Sequence, residues 1–293
     1  MIVLLGCVVF FIGMSLGSFA NVLVDRFDPD YYASFFKITS GRSRCDFCSR
    51  TLLWYELIPL ASFMVQRGRA RCCGKNLSLQ YPLLEFGFGL LCIGIWLRFS
   101  SYFPTLASAA PFLFWSLVGC GFLVSLFLIA LARIDARTYL LPDMLMGPGI
   151  IMAFVYGGLL VYAERIVPMS VVGYESVDFF LPFSSILSSH VLGALFFGGA
   201  LYAVYAVSRG RAMGFGDVKL GVFEGLFLGA PLSLVALFFS FLLGSAVGSI
   251  ALLIHKKHMK DLLPFGPFLV AGFYVAFFAG EWILRWYFGL MNI

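Results

Sequence analysis

Hydrophobic positions along the chain come in runs of about 20 residues, the length that crosses roughly 30 Å of hydrocarbon as an α-helix. The pattern predicts eight helices: Met1 to Val24, Tyr81 to Phe99, Pro111 to Ala132, Pro142 to Tyr162, His190 to Val207, Val218 to Ala230, Pro231 to Ile254 and Phe265 to Phe288. Pro82 suits a first helical turn, where its missing N–H has no partner to lose. The first run has no basic segment ahead of it and exceeds the apolar core of a secretory signal, so it reads as a retained helix. One long polar stretch interrupts the series. The expected division is therefore a first transmembrane helix at 1–24, a cysteine-containing domain at 25–80 and a seven-helix membrane domain at 81–293.

Composition strengthens this reading. Of the 293 residues, 61% are hydrophobic and only 12% charged, and the mean hydropathy is +0.96. A soluble domain of this length is excluded; the chain is an integral membrane protein of all-α class, lying in the lipid bilayer. All of its 20 Lys and Arg residues except Arg98, Arg165 and Arg285 fall in the polar stretch or in alternate connections after it. By the positive-inside rule those connections are cytoplasmic and both termini face outward. The sixth helix is anomalous. From Val218 to Ala230 it reaches about 20 Å, short of a full crossing, so either it continues past Pro231 or the turn before it dips into the membrane.

That turn is Gly214-Phe215-Gly216-Asp217-Val218-Lys219-Leu220. A charged group at membrane depth costs roughly 2.5–3.5 kcal/mol and usually faces a bundle interior or a wet cavity. Asp217 could simply cap the following helix. A second acidic site, Ile134-Asp135-Ala136-Arg137, leaves another apolar segment on the same side. Two carboxylates brought together can share a proton and activate water for peptide cleavage. Asp143, behind Pro142, competes with Asp135 but is more economically a helix cap. Gly214 and Gly216 would let an extended backbone approach Asp217. Glu224, seven positions on, points the same way as Asp217; it either faces inward in support of Asp217 or touches headgroups. His190, His255 and His258 have no Ser or Cys partner that spacing indicates, and no phosphate-binding glycine loop is present.

Seven cysteines are present, an odd number, and four cluster in the polar stretch. This argues for metal or free thiols in a reducing compartment rather than for a disulfide framework. Cys45 and Cys48 form a two-residue-spaced knuckle, and Cys72-Cys73 follows at a zinc-ribbon distance. The second half carries Ala70 where a ribbon would place its third cysteine, which leaves two readings: zinc held by Cys45, Cys48, Cys73 and Cys72 as substitute, or reduced thiols without metal.

Several stretches together resemble the bacterial prepilin peptidase family. They are Gly17-Ser18-Phe19-Ala20-Asn21-Val22, Arg42-Ser43-Arg44-Cys45 with Cys48, Trp54-Tyr55-Glu56-Leu57-Ile58-Pro59, Tyr81-Pro82-Leu83-Leu84-Glu85, Ile134-Asp135 with Leu141-Pro142-Asp143, the Gly214–Leu220 turn, and Pro264-Phe265-Gly266-Pro267-Phe268. The resemblance implies about eight transmembrane helices with a small cytoplasmic zinc-ribbon-like insertion between the first two. It implies an inner-membrane enzyme that removes the basic leader of prepilins or pseudopilins of type IV pilus or type II secretion systems. Asp135 and Asp217 fall on the family's catalytic aspartates, and S-adenosylmethionine would methylate the new N-terminus. Ala70 and Ala20 depart from the family pattern, and Ala70 bears on the metal.

No nucleic-acid partner is expected, and dimerisation is left open. Two other classes compete with the peptidase: a proton-coupled transporter with Asp135, Asp217 and Glu224 as relay, and a non-enzymatic assembly factor docking through the cysteine module. The transporter would leave the cysteine domain unexplained.

Overall fold

Proline and glycine set many of the helix limits. The computed structural model describes residues 2–28, 39–45, 47–166, 186–254 and 263–290. Within them lie α1 (Ile2–Asp25), a single 3₁₀ turn (Trp54–Leu57), α2 (Ala61–Val65), α3 (Gln80–Tyr102), α4 (Pro104–Ala109), α5 (Pro111–Thr138), α6 (Asp143–Ile166), α7 (Ile186–Ser208), α8 (Phe215–Leu228), α9 (Ala230–Leu253) and α10 (Gly266–Leu290). Pro104 and Pro111 open their helices, with φ pre-set and no N–H to orphan. His255, His258 and the basic cluster Lys256, Lys257 and Lys260 lie outside the described residues.

Seven of these helices, α1, α3, α5, α6, α7, α9 and α10, are long and apolar enough to cross a membrane. The remaining predicted helix, sixth in that series and α8 here, has 14 residues and a length of about 21 Å. The sequence-based short helix is therefore short in the structure as well, and it ends at Gly229, whose φ of +79° turns the chain into α9.

The chain forms two compact units, Met1–Ser101 and Tyr102–Ile293. Within the first unit α3 pairs with α1: a Cβ added to Gly13 would stand 2.8 Å from the Gly89 Cα. The cysteine-bearing segment belongs to this first unit.

In the second unit α8 is enclosed. Ten of its residues are buried, including every position from Phe223 to Leu228, as expected of a helix apolar on all sides. Its closest neighbour is α7, where a Cβ on Gly225 would collide with the Gly193 carbonyl. Phe223 packs against Gly149 of α6, and Phe227 stacks on Tyr156 of α6 with ring centroids 4.2 Å apart.

Helix ends in such a place cannot rely on water, so other protein groups complete them. His190 Nδ1–H donates to the Leu226 carbonyl at 2.8 Å, and the Ala230 N–H donates to Ser189 Oγ at 3.3 Å. His190 thus closes the α8–α9 turn. Gly225→Val should force α7 and α8 apart and lower thermal stability by about 1–3 kcal/mol, read as an earlier melting transition of the detergent-solubilised protein.

Candidate active site and metal centre

Helix α5 runs to Thr138, past the predicted end at Ala132, so Asp135 lies in its last turn. Tyr139, in the left-handed conformation at φ 57°, ends that helix with its N–H on the Asp135 carbonyl at 2.8 Å. Asp135 is 5% exposed. Its Oδ2 accepts the Gly266 N–H at 2.8 Å. Gly266 opens α10, and a Cβ there would stand 2.8 Å from the same oxygen. Only glycine lets that backbone come so near.

Asp217 is the third residue of α8, inside the helix and not ahead of it. Its Oδ2 accepts the N–H of Gly214, the residue that precedes the helix, at 3.2 Å, so the capping reading holds in modified form. The carboxylate is also 8% exposed and within electrostatic reach of Asp135. The fold therefore brings the two predicted aspartates together, each tied to a backbone amide.

Asp143 stands apart from this pair. It begins α6 and, in the open, forms an ion pair with Lys219 at 2.6 Å. Glu224 faces inward: it is fully buried, senses the charge of Asp217, and neither carboxyl oxygen has a hydrogen-bond partner among the described residues.

Gly216 has a different use from the one expected. A Cβ there would meet Leu141 Cβ at 2.9 Å, so the backbone at 216 is approached by the chain's own connection between α5 and α6. Gly214 is less crowded, with its nearest neighbour Asp217 Oδ2 at 3.7 Å from an added Cβ. Sequence reasoning gave Gly266 no role, although it sits in the Pro264–Phe268 motif. A glycine between two prolines was the available signal, but no local rule connects it to an aspartate 131 positions earlier.

In the first unit the four expected cysteines converge. Their sulfurs all lie within 4.8 Å of one another, with Cys48 and Cys72 at 3.3 Å and Cys45 and Cys73 at 3.9 Å. A tetrahedron of thiolates about 2.3 Å from a zinc ion has sulfur–sulfur edges of about 3.8 Å. This cluster could hold a metal ion, and its spacing fits zinc.

Two knuckles of the same design build it. Arg44 bridges to Thr51 and Arg69 to Asn76. Cys45 N–H donates to the Arg50 carbonyl and Ser49 N–H to Cys45, at 2.9 Å each; Ala70 N–H donates to Lys75 and Gly74 N–H to Ala70, at 2.7 Å each. Ser49 and Gly74 share the left-handed conformation. Ala70 is thus the counterpart of Cys45, and Cys72 the counterpart of Phe47. The fourth sulfur comes from the position one step before the second knuckle's Cys73.

The thiols are unequal. Burial opposes ionisation of Cys45, but the N–H groups of Phe47 and Cys48 and the neighbouring thiols bring it down to about 7. Cys72 is pushed up to about 12, first by its hydrogen bonds with Cys48 and Cys45.

Residues 11–99 match the bacterial peptidase A24 N-terminal domain, and residues 122–249 match the type IV leader peptidase family. The chain belongs to that family. Among curated relatives, all called "Prepilin leader peptidase/N-methyltransferase", the one from Klebsiella pneumoniae is 32% identical over 229 residues, covering 76% of this chain and 85% of the relative. That of Bacillus subtilis is 29% identical over 283 residues, covering 96% of both. That of Aeromonas hydrophila is 27% identical over 298 residues, covering 95% and 92%. No solved structure matches the chain. The leader peptidase model covers Asp135 and Asp217, and the N-terminal one covers all four clustered cysteines.

Gly266→Ala should displace the Asp135 carboxylate and cut leader cleavage on the order of a hundredfold. The comparison is of cleavage rates at equal amounts of membrane-inserted protein.

Proposed function

We propose that this chain is a membrane aspartic endopeptidase that removes the leader of type IV prepilins or type II secretion pseudopilins and methylates the new N-terminus. The observation that carries the first activity is the pair Asp135 and Asp217, both buried, within electrostatic reach of each other and each oriented by a backbone N–H. Two such carboxylates hold one proton between them. The ionised member takes a proton from water as its oxygen attacks the scissile carbonyl carbon. The protonated member hydrogen-bonds the carbonyl oxygen, which gains charge. Collapse of the tetrahedral species breaks the C–N bond, and the proton taken from water passes to the leaving amine.

Substrate orientation follows from the same physics as enzyme topology. A basic leader ahead of an apolar helix stays in the cytoplasm, which puts the scissile bond at the membrane boundary. We place the enzyme in the bacterial inner membrane with its cysteine segment cytoplasmic, as the distribution of Lys and Arg supports. S-adenosylmethionine, when bound, would supply the methyl group, with S-adenosylhomocysteine as the product. Zinc at Cys45, Cys48, Cys72 and Cys73 would fold a segment with little apolar core of its own.

Asp135→Asn and Asp217→Asn should each lower leader cleavage by about a hundredfold or more while the protein still inserts. A mobility assay on a prepilin substrate reads this, and full activity in Asp217→Asn would sink the assignment.

Elemental analysis of the purified protein should find about one zinc per chain. Cys72→Ala should lose it, and adding Ala70→Cys should restore it by completing the second knuckle. Metal retained in Cys72→Ala alone would show that Cys72 is not a ligand.

A further inference from the structure

Residues 53–65, between the two halves of the cysteine cluster, are turned inside out. The one charged side chain of the stretch, Glu56, is buried, and its Oε2 accepts the Leu53 N–H at 2.8 Å. The large apolar side chains point outward instead: Trp54 is 76% exposed, Met64 74% and Val65 82%, with Leu53, Leu57 and Ile58 exposed as well. A face bounded by water has the opposite arrangement, so this one meets something other than water.

Depth is the first clue to the partner. The Leu60 N–H donates to Glu85 Oε2 at 2.8 Å, and Glu85 is the sixth residue of α3, about 7–8 Å along a helix that is long and apolar enough to cross a membrane. That bond fixes α2 beside the first turns of α3, where Leu79, Leu83 and Phe86 are exposed in their turn. The stretch therefore stands at the level where α3 enters hydrocarbon.

Charge is the second. Glu56 is the only acidic residue between Arg50 and Gln80, against Arg50, Arg67, Arg69, Arg71 and Lys75, all five of them exposed. Two of these cations share a face with aromatic rings: the Arg71 guanidinium lies 5.6 Å from the centre of the Tyr55 ring, and the Lys75 ammonium 5.1 Å from that of Phe47. Exposed Trp and Tyr beside Lys and Arg match a headgroup layer that carries negative charge. A second copy of the chain would set these cations against their own kind.

We propose that residues 53–65 dock on the bilayer surface, with α2 and Trp54 set into the headgroup layer of the leaflet in which α3 begins and the neighbouring cations on anionic lipid. Segments of this kind bury their apolar face by about 5–10 Å. The cysteine cluster, whose two knuckles flank the stretch, is thereby held against the membrane. The inference rests on the membrane reading of the chain and on neither enzymatic activity.

Emission from Trp54 tests it, taken as the difference between the wild type and Trp54→Phe, each as the full chain in nanodiscs of phosphatidylcholine and phosphatidylglycerol. Lipid brominated near the top of its acyl chains should quench that difference by about half or more, and aqueous acrylamide should leave it largely intact. Met64→Glu with Val65→Glu, at two side chains that are mostly exposed, should lose the lipid quenching and gain acrylamide quenching at an unchanged melting temperature. Nanodiscs without phosphatidylglycerol should weaken the lipid quenching of the wild type. Quenching by acrylamide and not by brominated lipid would overturn the proposal, and so would shielding from both, the mark of a face covered by protein. Lipid quenching that persists unchanged in the doubly substituted chain would overturn the place given to α2, and indifference to phosphatidylglycerol the role given to the cations.

Discussion

Hydrocarbon offers no hydrogen bonds, so each polar group of the helical bundle must find its partner within the protein. The second unit is arranged around this constraint. The Asp135 carboxylate is met by the amide that opens α10, and the Asp217 carboxylate by the amide just ahead of α8. Both donors are N–H groups that a helix start leaves without an intrahelical partner. The acids and the helix starts therefore complete each other. At the opposite end of α8, His190 and Ser189 do the same for the turn into α9. These contacts explain why a helix of only 14 residues can stand enclosed in the bundle.

Glu224 is the exception that the constraint makes visible. It lies about 10 Å along α8 from Asp217, fully buried, with neither oxygen bonded among the described residues. An isolated carboxyl there is expensive. Its interaction with Asp217 ties it to the aspartate pair more than to packing, and the same stripe of acids is what a proton relay would use. The cysteine module, which a transporter would leave without purpose, weighs for the enzyme.

The first unit solves a different problem. Between α1 and α3 its regular structure among the described residues is one 3₁₀ turn and the short α2, too little to bury a core. Four sulfurs there lie close enough to hold one metal ion, which would supply a substitute. The knuckle geometry survives Ala70 because the backbone turn depends on main-chain hydrogen bonds and a left-handed residue, not on the side chain at its first position. The Cys72 thiol, one position before Cys73, therefore reaches the same cluster.

Much of this was legible in the chain itself. Block length and hydropathy specify membrane helices because the bilayer imposes one length on all of them, and the short sixth member of the predicted series stood out for the same reason. Asp135, Asp217 and the four cysteines were visible because charge in hydrocarbon and paired thiols are rare without a purpose. Partner choice was not legible. That Asp143 belongs with Lys219, that Gly216 makes room for Leu141 and that Gly266 holds Asp135 are contacts between segments far apart in sequence, set by how helices pack. Local rules of capping and periodicity act over a turn or two; an N–H donated across 131 residues exists only once the bundle has closed.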